Sequence, residues 1–395
     1  MIVLVPLRSP PDVPPCRRPT QELTLPRSIL MISKPIAPPW NDSSKNLVKD
    51  LASAGRRYSY RVLAPRGYQL PAPGVVSEPV YSDSGAYTPA LVQNARVMGR
   101  LLRRDDSVVT HFFFAPNLRS SMVARIALAL RPRRTVQTVC STPASFRHSA
   151  SMLFADRVVV LSRHSQQRFL DAGVDPRRLV VILPGIQIPS VPDPAARRDA
   201  RRRHGLPLDR PVVIYPGDYQ FSSAAWTVAR AILQLERPAA TFVLACRIKQ
   251  PASLEVERRV RDLLGRGGAL PRVRMLREVD DMPGLLTACD LCLLPAESLY
   301  AKMDLPLVLL EAMARGVGVV VADRPPLNEL ARDGGALTVP AEDPWALASV
   351  VRQLLDHPDR LRELGQRARE VAAMHHDIKS VSQLHEDLYQ EMTGG

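Results

Sequence analysis

The sequence predicts an α/β protein of two domains, each a parallel sheet covered by helices, and three observations carry that prediction. Its 395 residues are too many for a single core and suit two domains of about 150 to 200 residues. Short buried-strand patterns, each followed by a turn and a helical segment, recur along the chain without an internal repeat or a coiled-coil heptad. Between about 188 and 210 the alternation breaks at Pro189, Pro192 and Pro194, an arginine run at 201–203, Gly205 and Pro207. That stretch reads as a linker. It separates a first domain over 28–187 from a second over 211–377, with a helix and tail over 378–395.

Composition narrows the classes of function. The apolar runs stop short of the roughly 18 residues needed to span a bilayer, and the opening MIVLVPLR is too short for a secretory leader. A cytoplasmic protein is expected. The five cysteines are scattered, and Cys289 with Cys292 forms one CxxC without a second pair, so these read as small core residues and no metal is expected. Net charge is +14 and uneven: residues 1–198 hold 28 Lys and Arg against 12 Asp and Glu, the remainder 25 against 27. A basic first domain suits an acidic acceptor or peripheral contact with an anionic membrane at its inner face, although an arginine-rich solvated face gives the same count. Nucleic acid is not expected, since no aromatic-interleaved basic stretch or recognition-helix signature is present. Nor is there a GxGxxG or GK[ST] motif, which argues against dehydrogenases and P-loop enzymes.

In chain order, residues 1–27 are a proline-rich lead-in whose MIVLVPL could add an edge strand. SILMIS at 28–33 is the first buried strand; a proline-broken loop follows, then a helix over 43–54 capped by Asp42 or Ser43. This loop belongs to the carboxyl edge of the sheet, where an α/β unit meets its ligand. Asp42, Ser43 and Ser44 are therefore candidate binding residues, alongside the helix-end N–H groups. A helix is expected at 91–102 and strands at 60–64, 107–110, 135–139 and 156–162, the last followed by a helix that includes Arg163 and Gln166. His111 ends the 107–110 strand and reads equally as a crevice residue or as a satisfied, half-buried histidine.

The second domain restarts with a strand at 212–215, a tight turn at Gly217 and a helix from Ser222 or Ser223. A strand at 241–246 ends in Arg247 with Lys249 close behind, two cations at a carboxyl edge or two ordinary surface bases. A helix at 254–264, a strand at 272–276 and a short helix after Asp281 lead to CDLCLLPAESLYAKMDLPLVLLEAMARGVGVVVAD at 289–323. This stretch reads as strand 291–294, a loop with Glu297 and Lys302, helix 307–314 and strand 317–321. Glu311 stands in an otherwise apolar helical run, where an unpaired carboxylate is costly to bury, so hydrogen bonds from a ligand are expected to offset that cost. Glu329 is a second crevice candidate. Helices at 343–355, 358–372 and 378–392 close the chain.

Pro-Leu-Val-Leu-Leu-Glu-Ala-Met-Ala-x-Gly from Pro306, followed by a valine strand, resembles the nucleotide-sugar segment of the retaining glycosyltransferases of family 4. The resemblance is specific around 305–321 and looser in the first domain. It implies the GT-B fold: two Rossmann-like domains facing each other across a crevice, the last helix crossing back to the first domain. It also implies transfer from a nucleotide diphosphate sugar, a UDP or GDP sugar first, to a hydroxyl acceptor, with no obligatory cofactor. Glu311 then holds the ribose, Arg247 and Lys249 the diphosphate, Asp42, Ser43 and Ser44 phosphate or acceptor, and His111 sugar or acceptor. Gly217 is kept at a family glycine. Three positions depart from the pattern: Met303 replaces the glutamate near the donor sugar, Asp218 stands where an arginine is usual, and Cys140 where a histidine is frequent. These departures keep two alternatives open, a catalytically inactive nucleotide-binding or partner protein and a nucleotide-sugar epimerase.

Overall fold

The computed structural model describes residues 27–82, 91–235, 240–248 and 250–394. The lead-in with its edge strand, and Lys249, lie outside them. Seven parallel strands build the first sheet: β1 (Ser28–Ile32), β2 (Ser59–Pro65), β3 (Val75–Tyr81), β4 (Ser107–Phe113), β5 (Thr135–Thr138), β6 (Arg157–Val160) and β7 (Leu179–Val181), in the order β3-β2-β1-β4-β5-β6-β7. Six more build the second: β8 (Val212–Tyr215), β9 (Thr241–Ala245), β10 (Val273–Leu276), β11 (Leu291–Leu294), β12 (Gly318–Ala322) and β13 (Leu337–Val339), in the order β10-β9-β8-β11-β12-β13. Strands buried on both faces must be apolar throughout. SILMI in β1 and GVVVA in β12 are buried at every position. In each sheet the order reverses beside its first strand, at β1/β4 and at β8/β11, and crevices form outside the carboxyl ends at such points.

Local chemistry explains where helices begin. Asp42 accepts from the N–H groups of Ser44 and Lys45 and starts the Ser43–Ala54 helix. Within the expected linker, Asp193 accepts from Ala196 N–H and Pro194 opens the first turn, so Pro194–Arg203 is helical. The arginine run there is not simply solvated. Arg201 is buried, with Nη2 2.6 Å from Asp290 Oδ2 and Nε donating to the Ala288 carbonyl at 3.0 Å. Strand β3 and the Leu118–Leu130 helix are further elements the sequence pattern did not single out.

The Ile378–Thr393 helix crosses back onto the first domain, as the resemblance implies. Its entry is fixed by backbone bonds from Ile186 N–H to the His376 carbonyl and from Ile378 N–H to the Ile186 carbonyl, both 2.8 Å. Further along, buried Glu386 accepts from Tyr60 Oη (2.7 Å), Arg56 N–H (2.7 Å) and Arg57 N–H (2.9 Å). All three donors converge on one oxygen, Oε1, of this buried carboxylate, and its removal strands them together. Glu386→Ala is expected to destabilise the protein by about 3 kcal/mol, measured by urea unfolding; a loss below 1 kcal/mol would show that apolar packing alone seats this helix.

Candidate functional site

The family-like segment forms one wall of the crevice. The Leu307–Ala314 helix follows Pro306 and has no side-chain cap at its N-terminus. Glu311 sits on its second turn, half-buried, and its carboxylate makes no side-chain hydrogen bond among the described residues. Burial pushes this carboxyl up to about 7; Arg315 opposes the rise, Asp50 of the first domain adds to it and Lys49 opposes it. Arg315 meanwhile donates from Nη1 to the Glu311 carbonyl at 2.8 Å. A carboxyl so placed has unused acceptors and faces the first domain.

Beside this helix, the turn after β8 requires a glycine. A Cβ on Gly217 would lie 2.0 Å from the Tyr215 ring. Asp218 is buried and accepts from Gln220 N–H and Phe221 N–H, both at 2.8 Å. Its other oxygen lies 2.7 Å from Lys302 Nζ, a cation supplied by the loop after β11. Burial raises the Asp218 carboxyl, but Lys302 and the N–H donors outweigh it and the pKa is lowered. The cation at this turn is thus Lys302, held as an ion pair with Asp218. Sequence reasoning missed this pairing; the signal was an acid in place of an arginine with a lysine in the facing loop. Glu297 of the same loop accepts from Ser223 N–H at 2.7 Å and Ser223 Oγ at 3.0 Å.

Arg247 reaches across the crevice, with Nη1 donating to the Asn41 carbonyl at 2.5 Å. Asn41 Nδ2 in turn donates to Glu278 at 3.1 Å. Asp42 next to it is already spent. It takes Ser44 Oγ (2.5 Å), Ser44 N–H (3.0 Å), Lys45 N–H (3.3 Å) and the Lys34 ammonium (2.6 Å). Burial raises its carboxyl, yet Lys34 and these donors hold it at about 2. The helix-end N–H groups expected to meet phosphate therefore meet an internal carboxylate, and Asp42 and Ser44 are not open to an anion. Ser43 alone of the three makes no side-chain hydrogen bond among the described residues.

Two other candidates lie elsewhere than expected. His111 is fully buried, stacked on Phe113 at 3.9 Å, with Nδ1 2.7 Å from Tyr389 Oη and Nε2 2.7 Å from Thr138 Oγ1. Burial, then His385 nearby, lowers its pKa well below the ordinary histidine value. It is a satisfied core histidine, the second of the two readings its sequence position allowed. Glu329 accepts from Arg163 N–H (3.1 Å) and His164 N–H (2.7 Å), capping the Arg163–Asp171 helix of the opposite domain. It joins the domains and is not an open crevice group. Asp304 does the same through Thr142 Oγ1 (2.7 Å) and Ser162 Oγ (2.6 Å). Met303, beside it, is buried.

The raised Glu311 carboxyl has a measurable consequence for the protein without ligand. A carboxyl raised from 4.5 to about 7 stabilises the fold fully below pH 4.5 and loses that contribution as pH rises through 7. Glu311→Gln removes the loss. The variant should melt roughly 2–4 °C above the parent at pH 8 and level with it near pH 5, by calorimetry at both values; equal melting at pH 8 would show that this carboxylate is ionised without cost.

Known proteins resemble this chain in fold and, over part of its length, in sequence. The sequence model of the family "Glycosyl transferases group 1" matches residues 210–357. D-inositol 3-phosphate glycosyltransferase 2 of Catenulispora acidiphila is 31% identical over 209 residues, 51% of this chain and 48% of that protein. Alpha-D-kanosaminyltransferase of Streptomyces kanamyceticus is 25% identical over 202 residues, 50% of each. The chain spans about half the length of the curated relatives it matches. Among solved structures, HepE of Anabaena in complex with UDP-glucose superposes with a TM-score of 0.74 at 19% identity, over 92% of this chain and 99% of that one. Sucrose-phosphate synthase of Thermosynechococcus elongatus gives 0.75 at 19% identity, over 93% and 99%. The chain has the GT-B fold, and residues 210–357, which include the Glu311 helix, match the sequence model of the glycosyl transferases group 1.

Proposed function

We propose that the chain transfers a sugar, with retention, from a nucleoside diphosphate sugar held by the second domain to a hydroxyl acceptor held by the first. Glu311 carries this reading. Its half-buried carboxylate makes no side-chain hydrogen bond among the described residues and sits in the segment that matches the family model; a ribose offers two adjacent hydroxyl donors, which would recover much of the cost of burying the charge. A turn earlier, the uncapped N-terminus of Leu307–Ala314 presents N–H groups to an anion. Lys302 and Arg247 supply positive charge for the diphosphate from the two flanking loops.

In this reaction the bond from the anomeric carbon to the diphosphate oxygen breaks, and the acceptor oxygen bonds to that carbon on the same face. The acceptor proton passes to the departing diphosphate oxygen. No protein nucleophile is needed, and the domains exclude water from the reacting atoms. The basic first domain suits an anionic acceptor or an anionic membrane surface; the D-inositol 3-phosphate named in the relatives is a substrate of the first kind. UDP is the first nucleotide to try, since a structure of the same fold holds UDP-glucose.

Thermal melting with UDP, GDP, ADP and dTDP tests the reading. At about 100 times Kd a ligand contributes about 2.7 kcal/mol, so one diphosphate should raise the melting temperature by roughly 3 °C, and Glu311→Ala should abolish the rise. Lys302→Met should weaken binding of that diphosphate at least about tenfold, the loss of one charge-assisted contact, while leaving binding of the bare nucleoside unchanged. No response to any of the four would sink the proposal. Binding without release of diphosphate from the matching sugar nucleotide would instead favour a nucleotide-binding protein without transfer, the reading that buried Met303 favours.

A further inference from the structure

The Leu118–Leu130 helix, LRSSMVARIALAL, is built inside out. Its inward face holds only small residues, Ser121, Ala124 and Ala127. The large apolar side chains point the other way: Leu118 is 65% exposed, Met122 54%, Ile126 49% and Leu130 66%. Their spacing of four residues lines them along one face for about 18 Å. A helix against a solvated sheet carries charge on its outer face, and one that is apolar all round is covered. An exposed apolar row of this length on a soluble surface marks a contact.

Charge around the row identifies what covers it. From Ser107 to Ala155 the sequence contains no Asp or Glu and six arginines. Arg119 and Arg134, at the two ends of the helix, are exposed and make no ion pair among the described residues. Arg131 makes none either. Arg133 is ion-paired with Asp105 at 3.1 Å and donates to the Leu101 and Arg103 carbonyls, which places exposed Arg103 beside the same end, so among the described residues the unpaired cations of this rim are Arg119, Arg131 and Arg134. A second copy of this chain would bring arginine against arginine. An apolar row rimmed by unpaired arginines fits acyl chains beneath anionic headgroups.

We propose that this face lies in the surface of an anionic lipid bilayer, with Leu118, Met122, Ile126 and Leu130 among the upper acyl chains and the arginines at the phosphates. The helix follows β4 at the carboxyl edge of the first sheet, so Leu118 sits at the crevice rim and the row runs away from it. Together with the transferase reading, on which this one corollary rests, the acceptor hydroxyl belongs to a membrane-borne molecule presented at that rim. The surface itself does not depend on transfer.

Flotation of the full chain with vesicles of phosphatidylcholine alone, or containing phosphatidylglycerol, tests it. Binding is expected to the anionic vesicles, to weaken at high salt, and to be at least tenfold weaker with phosphatidylcholine alone. Met122→Ser with Ile126→Ser should lower partitioning at least about tenfold by removing buried apolar area, with the melting temperature unchanged. Arg119→Gln should lower it about fivefold on anionic vesicles only. The proposal is overturned if the folded chain ignores anionic vesicles, if the double variant binds as well as the parent, or if the chain is a dimer that the double variant dissolves. Vesicle binding without any response to nucleoside diphosphates would sink the transferase reading and leave this surface standing; the reverse result would do the opposite.

Discussion

The carboxylates that fasten the two halves of this molecule together come from its second half. Asp304, Glu329 and Glu386 each accept hydrogen bonds from hydroxyl or N–H groups of the first. Glu278, Asp387 and Glu391 add further contacts at Asn41, Arg57 and Arg157. Arg57 and Arg157 pair with Asp387 and Glu391, so part of the first half's positive charge is met at the junction. A buried acceptor without its donor is costly, so these contacts select one mutual arrangement of the domains rather than simply adding attraction.

That arrangement decides what the crevice can hold. With Asp304 tied to Thr142 and Ser162, the loop after β11 lies against the first domain, and Thr142 forms a parallel bridge with Tyr300. Lys302 is carried along and meets Asp218. The two form an ion pair between the turn after β8 and the loop after β11. Met303, drawn into the same interface, leaves apolar surface where the family places an acid.

The sheets and the helix of Glu311 were legible because burial on both faces makes a strand uniformly apolar, and because one acid in an apolar helix stands out. Gly217 was legible from turn chemistry, and the ring of Tyr215 supplies its physical reason. Other assignments needed distances in space. Whether His111 faces solvent depends on Tyr389, 278 positions away. Glu329 reads as a crevice acid until its partners are seen to be the first N–H groups of a helix in the other domain. Asp42 illustrates a different limit: capping and anion binding use the same N–H groups, and sequence shows only that the groups exist. The Leu118–Leu130 helix escaped notice because its apolar residues cover every face, which erases the periodicity that identifies an amphipathic helix.

Glu329 ties the crevice to local folding. The Arg163–Asp171 helix draws part of its N-terminal cap from its own Ser162 and part from a residue more than 160 positions later in the chain. Separating the domains removes the second part, so opening the cleft and fraying that turn are one event with one free-energy cost. The amide hydrogens of Arg163 and His164 therefore act as a gauge: their exchange with solvent counts how often the two domains part.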